Sequence, residues 1–165
     1  TASTANAVRK LNGVVPAQAV RDGAGVNILP MAGPHLVRHL DPFLLIDEIR
    51  SDDAADYVAG FPSHPHRGFE TITFPRHGRM RHEDHLGNSG LLETGGAQWM
   101  TGGSGVIHSE MPEQDEGLLH AFQLWLNLPA RDKLMDASWR DVAAVEMPRL
   151  EWDGGSATQV VGEST

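Results

Sequence analysis

The chain carries the stretch GFPSHPHRGFETITFP at residues 60–75. Its two histidines, His64 and His66, are separated by one residue, and the residues after Gly68 are mostly of the β-branched and aromatic types that favour strands. Successive side chains of a strand point to opposite faces, so the two imidazoles would share one face. Pro65 fits this interpretation because it favours an extended conformation at His64. We therefore predict β structure with a histidine pair on one face, ended by Pro75.

A second pair with the same spacing follows in His108-Ser109-Glu110. By the same alternation, His108 and Glu110 would share one face of another strand. If the two faces meet, three imidazoles and a carboxylate converge, and these are ligands for a divalent transition metal. Either pair alone is also compatible with a polar surface face. Because the chain contains no cysteine, histidine and carboxylate are the ligands available to a metal.

Further polar residues lie close to these pairs in the sequence. Glu70 follows His66 by four residues, so a regular strand would present both on one face. Glu70 is then either a further ligand or a group that supports the ligands by hydrogen bonding. His82 and Glu83 begin the cluster His82-Glu83-Asp84-His85, which either lines the same pocket or forms a solvated strand face.

Four residues on other candidate strands would line a pocket beside the presumed site. They are Gln98, Met100, Gln123 and Trp125. For Met100 and Trp125, packing in the hydrophobic core is the alternative role.

Composition limits the possible classes of protein. The 165 residues suffice for one domain with a hydrophobic core, and 40% hydrophobic with 21% charged residues is typical of globular proteins. The formal net charge is −9 and the basic residues are scattered, so we do not expect direct binding to nucleic acid. No apolar run approaches the roughly 18 residues that a membrane span needs, and no secretory signal is visible. We therefore expect a cytoplasmic protein that does not bind membranes.

Short apolar runs between turn signals recur along the chain. The candidate strands lie within residues 43–49, 60–74, 80–85, 91–92, 98–100, 106–108 and 118–128. Residues 132–140 are expected to form a short helix or a turn, a hairpin is expected around Asp153-Gly154-Gly155, and residues 1–12 are expected to form a loose arm. Many short strands with scarcely any helical periodicity predict a β-sandwich or a β-barrel.

Several segments together resemble the pirin family of the cupin superfamily. They are Asp41–Glu48, Gly60–Thr71, His82–Asp84, Gln98–Thr101, Gly105–Glu110 and Gln123–Leu128. Each segment is modest alone, but the set spans about residues 41–129 in order and is specific. Thr94-Gly95-Gly96 and Asn27–Pro30 depart from the family's usual pattern.

The resemblance implies an all-β fold, the cupin-type double-stranded β-helix or jelly-roll barrel. Pirins are bicupins that carry their metal in the first of two barrels. Residues 1–165 would then be the N-terminal, metal-binding cupin domain, with its core at about residues 41–129. We expect this chain to be part of a longer protein, with the family's second, C-terminal cupin not present in it.

The resemblance also implies a ligand set and a metal. The ligands would be His64, His66, His108 and Glu110, whereas Glu70 would not bind the metal directly. The family's metal is usually iron, so one divalent transition metal, most often Fe(II), is expected. Three imidazoles and a carboxylate also suit Mn, Ni, Co, Cu or Zn.

Two functions follow from the resemblance. The first is a metal-dependent dioxygenase that cleaves a flavonol such as quercetin with O2 and releases carbon monoxide. Glu110 would then be the possible base, and His82 and Glu83 would support the site. The alternative is a redox-sensing, metal-binding module that regulates a protein partner, either a transcription regulator or a metabolic enzyme. An acidic surface suits contact with a protein better than contact with DNA.

Overall fold

The computed structural model describes residues 13–33 and 36–160, and most of these residues lie in β-strands. The strands are β1 (Val20–Asp22), β2 (Val26–Ala32), β3 (Phe43–Ser51), β4 (Phe61–His66), β5 (Phe69–His77), β6 (Met80–Asp84), β7 (Ser89–Leu92), β8 (Ala97–Thr101), β9 (Val106–Pro112), β10 (Leu119–Asn127), β11 (Ser138–Val142), β12 (Arg149–Trp152) and β13 (Gly155–Thr158). The helical elements are the single turn α1 (Val37–Leu40) and two 3₁₀ turns, Ala54–Asp56 and Ala144–Glu146.

Two antiparallel sheets form the body of the domain. The larger has seven strands in the order β1-β2-β3-β10-β5-β8-β11, and the smaller has four in the order β4-β9-β6-β7. Chain neighbours β4 and β5 lie in different sheets, and β10 inserts between β3 and β5. This exchange of strands between two sheets is the jelly-roll arrangement. The prediction of an all-β, cupin-type barrel is therefore confirmed.

The stretch at residues 60–75 forms parts of two strands, one in each sheet. Gly68 separates β4 from β5 with a φ of 76°, a conformation that favours glycine. Pro75 does not end β5, which continues to His77. The β10 register shifts opposite this point, between His120 and Ala121. Such an irregularity accommodates a residue that cannot donate a ladder hydrogen bond.

The hydrophobic core lies between the two sheets. Val26, Ile49 and Leu119 come from the larger sheet, and Met80 and Leu92 come from the smaller one. Fully burying one such side chain stabilises a fold by about 1.5–3 kcal/mol. The same inner faces carry the polar residues described below, so the core also fixes the position of the site.

The C-terminal part of the domain differs from expectation in one element. Residues 130–134 form turns, and β11 (Ser138–Val142) then pairs with β8. The expected helix or turn at 132–140 is thus a turn followed by a strand. The hairpin around Asp153 and Gly154 is confirmed, with β12 paired to β13. The arm expected at residues 1–12 lies outside the described residues.

The helices do not supply a membrane span. Among residues 13–33 and 36–160, no helix has the length and apolar character needed to cross a bilayer.

Candidate metal centre

Three imidazoles meet on the inner face of the smaller sheet. β4 and β9 are antiparallel neighbours in which His64 lies directly opposite His108. The Nε2 atom of His64 is 3.0 Å from the Nε2 atom of His66 and 3.0 Å from the Nε2 atom of His108. One ring nitrogen from each residue lies within 4.8 Å of the others. The pairing of β4 with β9 thus brings together the two strand faces that alternation assigned to these histidines.

The spacing of the nitrogens fits a transition metal. Metal–imidazole bonds are about 2.0–2.1 Å long, so two nitrogens 3.0 Å apart would subtend about 90° at a shared ion. Neighbouring ligands of an octahedral or square-pyramidal ion stand at that angle. Since imidazole suits iron and its neighbours in the first transition series, the donor set fits the expected group of metals.

Two of the rings, those of His66 and His108, are held neutral by their surroundings, as metal ligands must be. Burial, together with the nearby rings of His108 and His64, lowers the pKa of His66 to about 4. Burial also lowers the pKa of His108 to about 3, with contributions from His64 and His82. A neutral imidazole has one unprotonated nitrogen, and the lone pair of that nitrogen binds the metal.

Hydrogen bonds at the far sides of the rings select which nitrogen is free. The Nδ1 atom of His64 lies 2.8 Å from the carbonyl oxygen of Pro62 and donates to it, so the neutral form of the ring has its lone pair at Nε2. The Nδ1 atoms of His108 and His82 are 3.3 Å apart. The Nε2 atom of His82 lies 3.5 Å from a carboxylate oxygen of Asp84. If His108 donates from Nδ1, its Nε2 is free and His82 directs its own N–H towards Asp84.

Glu110 is buried next to the three rings but is held by the larger sheet. Its Oε1 atom accepts a 2.6 Å hydrogen bond from the hydroxyl of Thr73. Its Oε2 atom accepts a 2.8 Å hydrogen bond from the side-chain amide of Gln123. The carboxylate is close enough to His66 to act on the pKa of that ring. The group of ligand atoms within 4.8 Å comprises the three imidazoles, so the expected role of Glu110 as fourth ligand stays a prediction.

A cavity of 580 Å³ adjoins the imidazoles, and His64 and His66 lie in its wall. The ring of Trp125 stands edge-on to His66 with centroids 5.2 Å apart, and Phe69 contacts both rings. Apolar side chains make up much of the remaining wall: Ile28, Leu45, Ile49, Phe61, Pro62 and Pro65. The volume is in the range of small-molecule sites.

The structure places the other predicted residues at different distances from this cavity. Gln123 and Trp125 line it. Gln98 instead donates a 2.9 Å hydrogen bond to Asp141, and Met100 is 1% exposed between β5 and β11. These two residues belong to the packed interior because β8 lies two strands away from β10.

Two of the acidic candidates also lie away from the three rings. Glu83 is exposed, since alternation along β6 buries His82 and turns its neighbour outwards. Glu70 accepts a 2.9 Å hydrogen bond from Thr101 on the larger sheet. His82 and Asp84 are the members of the cluster that the structure brings to the site.

Sequence reasoning missed two polar residues of the inner faces. Thr73, which holds Glu110, gives no signal because threonine is an ordinary residue in a strand. Asp47 did give one, since it is a charged residue inside the apolar run Phe43–Ile49. Asp47 is 7% exposed and lines the cavity. Burial, with a smaller contribution from Asp22, raises the pKa of Asp47 to about 6.

Known proteins resemble this chain over most of its length. The sequence profile of the pirin family matches residues 26–126. The Pseudomonas aeruginosa protein named "Putative quercetin 2,3-dioxygenase" is 56% identical over 140 residues, which cover 85% of this chain and 49% of that protein. A "Pirin-like protein" of Caulobacter vibrioides is 46% identical over 158 residues, which cover 96% of this chain and 57% of that protein.

A solved structure agrees with these relatives. The crystal structure of quercetin 2,3-dioxygenase from Acinetobacter baumannii matches with a TM-score of 0.80 and 31% identity, over 92% of this chain and 57% of that one. The chain spans about half the length of the curated relatives it matches. The family profile covers more than half of the 165 residues and includes the strands that carry the three histidines. The chain therefore belongs to the pirin family.

Proposed function

We propose that this chain is the metal-binding cupin domain of a dioxygenase that cleaves a flavonol such as quercetin with O2 and releases carbon monoxide. The observation that carries the proposal is the convergence of three imidazole nitrogens beside a 580 Å³ cavity whose wall includes His64 and His66. A site with a cavity beside it leaves room for a substrate at the metal. The relatives named for quercetin 2,3-dioxygenase support the substrate class.

In this proposal His64, His66 and His108 hold the metal, with Fe(II) as the expected ion. Glu110 would complete the set if its carboxylate exchanged one of its hydrogen bonds, to Thr73 or to Gln123, for the ion. The bound metal would lower the pKa of the flavonol 3-hydroxyl and bring the flavonol and O2 together.

The protein's own residues would bind and orient the flavonol. Trp125 and Phe69 offer aromatic faces beside His66. Glu110 would accept the proton of the 3-hydroxyl, because it is a buried carboxylate next to the imidazoles. Gln123 would keep that carboxylate oriented, since it donates to Glu110 and accepts from the indole N–H of Trp125.

The cavity also favours the enzyme over a redox-sensing module. A sensor needs the metal to alter the protein surface, and a closed site beneath a charged patch would suit it. Here His64 and His66 line an accessible cavity with apolar walls, which suits a small aromatic molecule. Regulation of a protein partner stays the alternative.

The test is aerobic loss of quercetin, followed by absorbance with carbon monoxide detection, in the Fe(II)-loaded protein. His108→Ala should lose both tight metal binding and turnover. His39→Ala, at an exposed histidine of α1, is the matched control and should retain both. A full metal site without turnover would contradict the enzyme proposal for this chain. The same assay on a full-length relative would show whether turnover needs the part of that protein that this chain does not match.

A further inference from the structure

Asp47 is a buried acid with an unpaired oxygen in the cavity wall. Its Oδ1 atom has no hydrogen-bond partner within residues 13–33 and 36–160. Leu45 and Ile49 lie on the same face of β3 and line the cavity with it. A carboxylate in such surroundings destabilises a fold unless something pairs with it, so its presence there calls for a physical reason.

The nearest polar side chain on the neighbouring strand cannot pair with Asp47. Gln123 lies directly opposite it on β10. The amide nitrogen of Gln123 donates to Thr73 at 3.2 Å and to Glu110 at 2.8 Å, which uses both of its N–H groups. Its oxygen accepts from Trp125. The buried Oδ1 atom of Asp47 is therefore left without a partner in a side chain of the cavity wall, and a rotation of the carboxyl group would turn it towards a molecule in the cavity.

We propose that Asp47 binds a hydroxyl group of the molecule that fills the cavity and thereby selects neutral, hydroxylated aromatic compounds. The aromatic part of this inference rests on the proposed function, whereas the hydroxyl part rests on Asp47 itself. An acceptor-only carboxylate pairs with a donor such as a phenolic O–H. A second carboxylate, Asp22, also lines the cavity and disfavours anionic ligands. Arg67 is the cationic side chain among the residues that line the cavity, and it is exposed next to the histidines.

In this proposal the hydroxyl bound by Asp47 is a different one from the hydroxyl at the metal. Asp47 comes from the larger sheet and the imidazoles come from the smaller one, and both line the same cavity. A flavonol oriented with its 3-hydroxyl at His64 and His66 would direct its other rings along the apolar wall. Asp47 would then receive a ring hydroxyl, which quercetin has and 3-hydroxyflavone lacks.

The experiment compares ligand affinity in the parent, Asp47→Leu and Asp47→Asn, all metal-loaded and without oxygen. Quenching of tryptophan fluorescence gives the Kd for quercetin and for 3-hydroxyflavone. Asp47→Leu should weaken quercetin about tenfold or more, because a hydrogen bond to a charged group is lost. It should leave 3-hydroxyflavone unchanged or tighter. Asp47→Asn keeps one acceptor oxygen, so its Kd for quercetin should lie between those of the parent and of Asp47→Leu. Asp52→Asn, at an exposed acid just beyond β3, is the control for lost charge.

Each outcome decides the inference. Equal losses for the two flavonols, or no loss for quercetin, would overturn it, and an unchanged metal content excludes damage to the imidazoles. If the parent binds neither flavonol, the proposed function fails, and phenol against toluene then tests Asp47 by NMR titration. A preference for phenol that Asp47→Leu removes would support the hydroxyl site, and no such preference would overturn it.

Discussion

Asp47→Asn should stabilise the protein more as the pH rises. The carboxyl has an ordinary pKa of 3.8, and burial raises its pKa to about 6 in the folded protein. An acid with a raised folded-state pKa releases its proton more readily in the unfolded chain. Its effect is therefore absent well below pH 3.8, and it destabilises the fold fully above about pH 6. Asparagine has a similar shape and carries no charge at any of these pH values.

The size of the effect follows from the two pKa values. Each pKa unit corresponds to about 1.4 kcal/mol, so the ionised carboxylate should lower the free energy of unfolding by about 3 kcal/mol at pH 8. At pH 4.5 the same calculation gives about 1 kcal/mol. The gain from the variant should thus grow by about 2 kcal/mol between these pH values. An unpaired amide N–H adds a cost to the variant, but that cost does not depend on pH.

Urea unfolding of both proteins at a series of pH values measures this difference. Titration of the histidines changes the stability of parent and variant alike and cancels in the comparison. Asp52→Asn supplies the control for removing one negative charge at an exposed position. A difference between parent and Asp47→Asn that stays constant from pH 4.5 to pH 8 would refute the reasoning, because it would mean that the carboxyl titrates equally in both states.

Three further predictions concern the metal centre and its surroundings. His82→Ala should weaken metal binding about 10- to 100-fold, because His108 loses the partner of its Nδ1 atom; competition with a chelator measures this, and an affinity equal to that of His85→Ala would contradict it. Thr73→Val should raise the KM or lower the kcat for a flavonol, because Glu110 loses a 2.6 Å hydrogen bond. The metal content should stay full, and unchanged kinetics would show that Thr73 does not orient the carboxylate. Tyr57→Phe should lower the free energy of unfolding by about 1 kcal/mol, because the buried hydroxyl donates to the carbonyl of Gly117 at 2.8 Å; urea unfolding with no loss of stability would argue against that bond.

Much of the fold was predictable because its signals are local. The alternation of polar and apolar residues, together with glycine and proline between short runs, predicts the strands without reference to their partners. The prediction that Pro75 ends β5 was wrong. An irregularity in β10, a strand more than forty residues further along the chain, accommodates this proline. A single-strand pattern contains no information on such compensation. Likewise, β11 was missed as a strand because its pairing with β8 determines its conformation.

The candidate site was predictable to a different degree for each residue. Parity placed His64 with His66 on one strand face and His108 with Glu110 on another, because a strand has a fixed period of two. That the two faces meet depends on the pairing of β4 with β9. Parity could not give the partners of Glu110, because Thr73 and Gln123 belong to the other sheet. The cavity could likewise not be predicted from the sequence, since its wall combines side chains from several strands. Asp47 was detectable as a charge inside an apolar run, but its unpaired oxygen depends on how Gln123 is used.

Strand register joins the metal centre to the cavity. Asp47, Gln123, Thr73 and Gln98 lie side by side across β3, β10, β5 and β8, so one polar row crosses the larger sheet. Gln123 and Thr73, in the middle of this row, donate hydrogen bonds to Glu110 of the smaller sheet. Asp47, at one end of the row, lines the cavity. A slip of one residue in β10 would turn Gln123 to the opposite face and release the carboxylate. The fully buried apolar residues on either side therefore do more than stabilise the barrel. By fixing the register, they keep the three imidazoles, the carboxylate and the hydroxyl-binding acid in one arrangement.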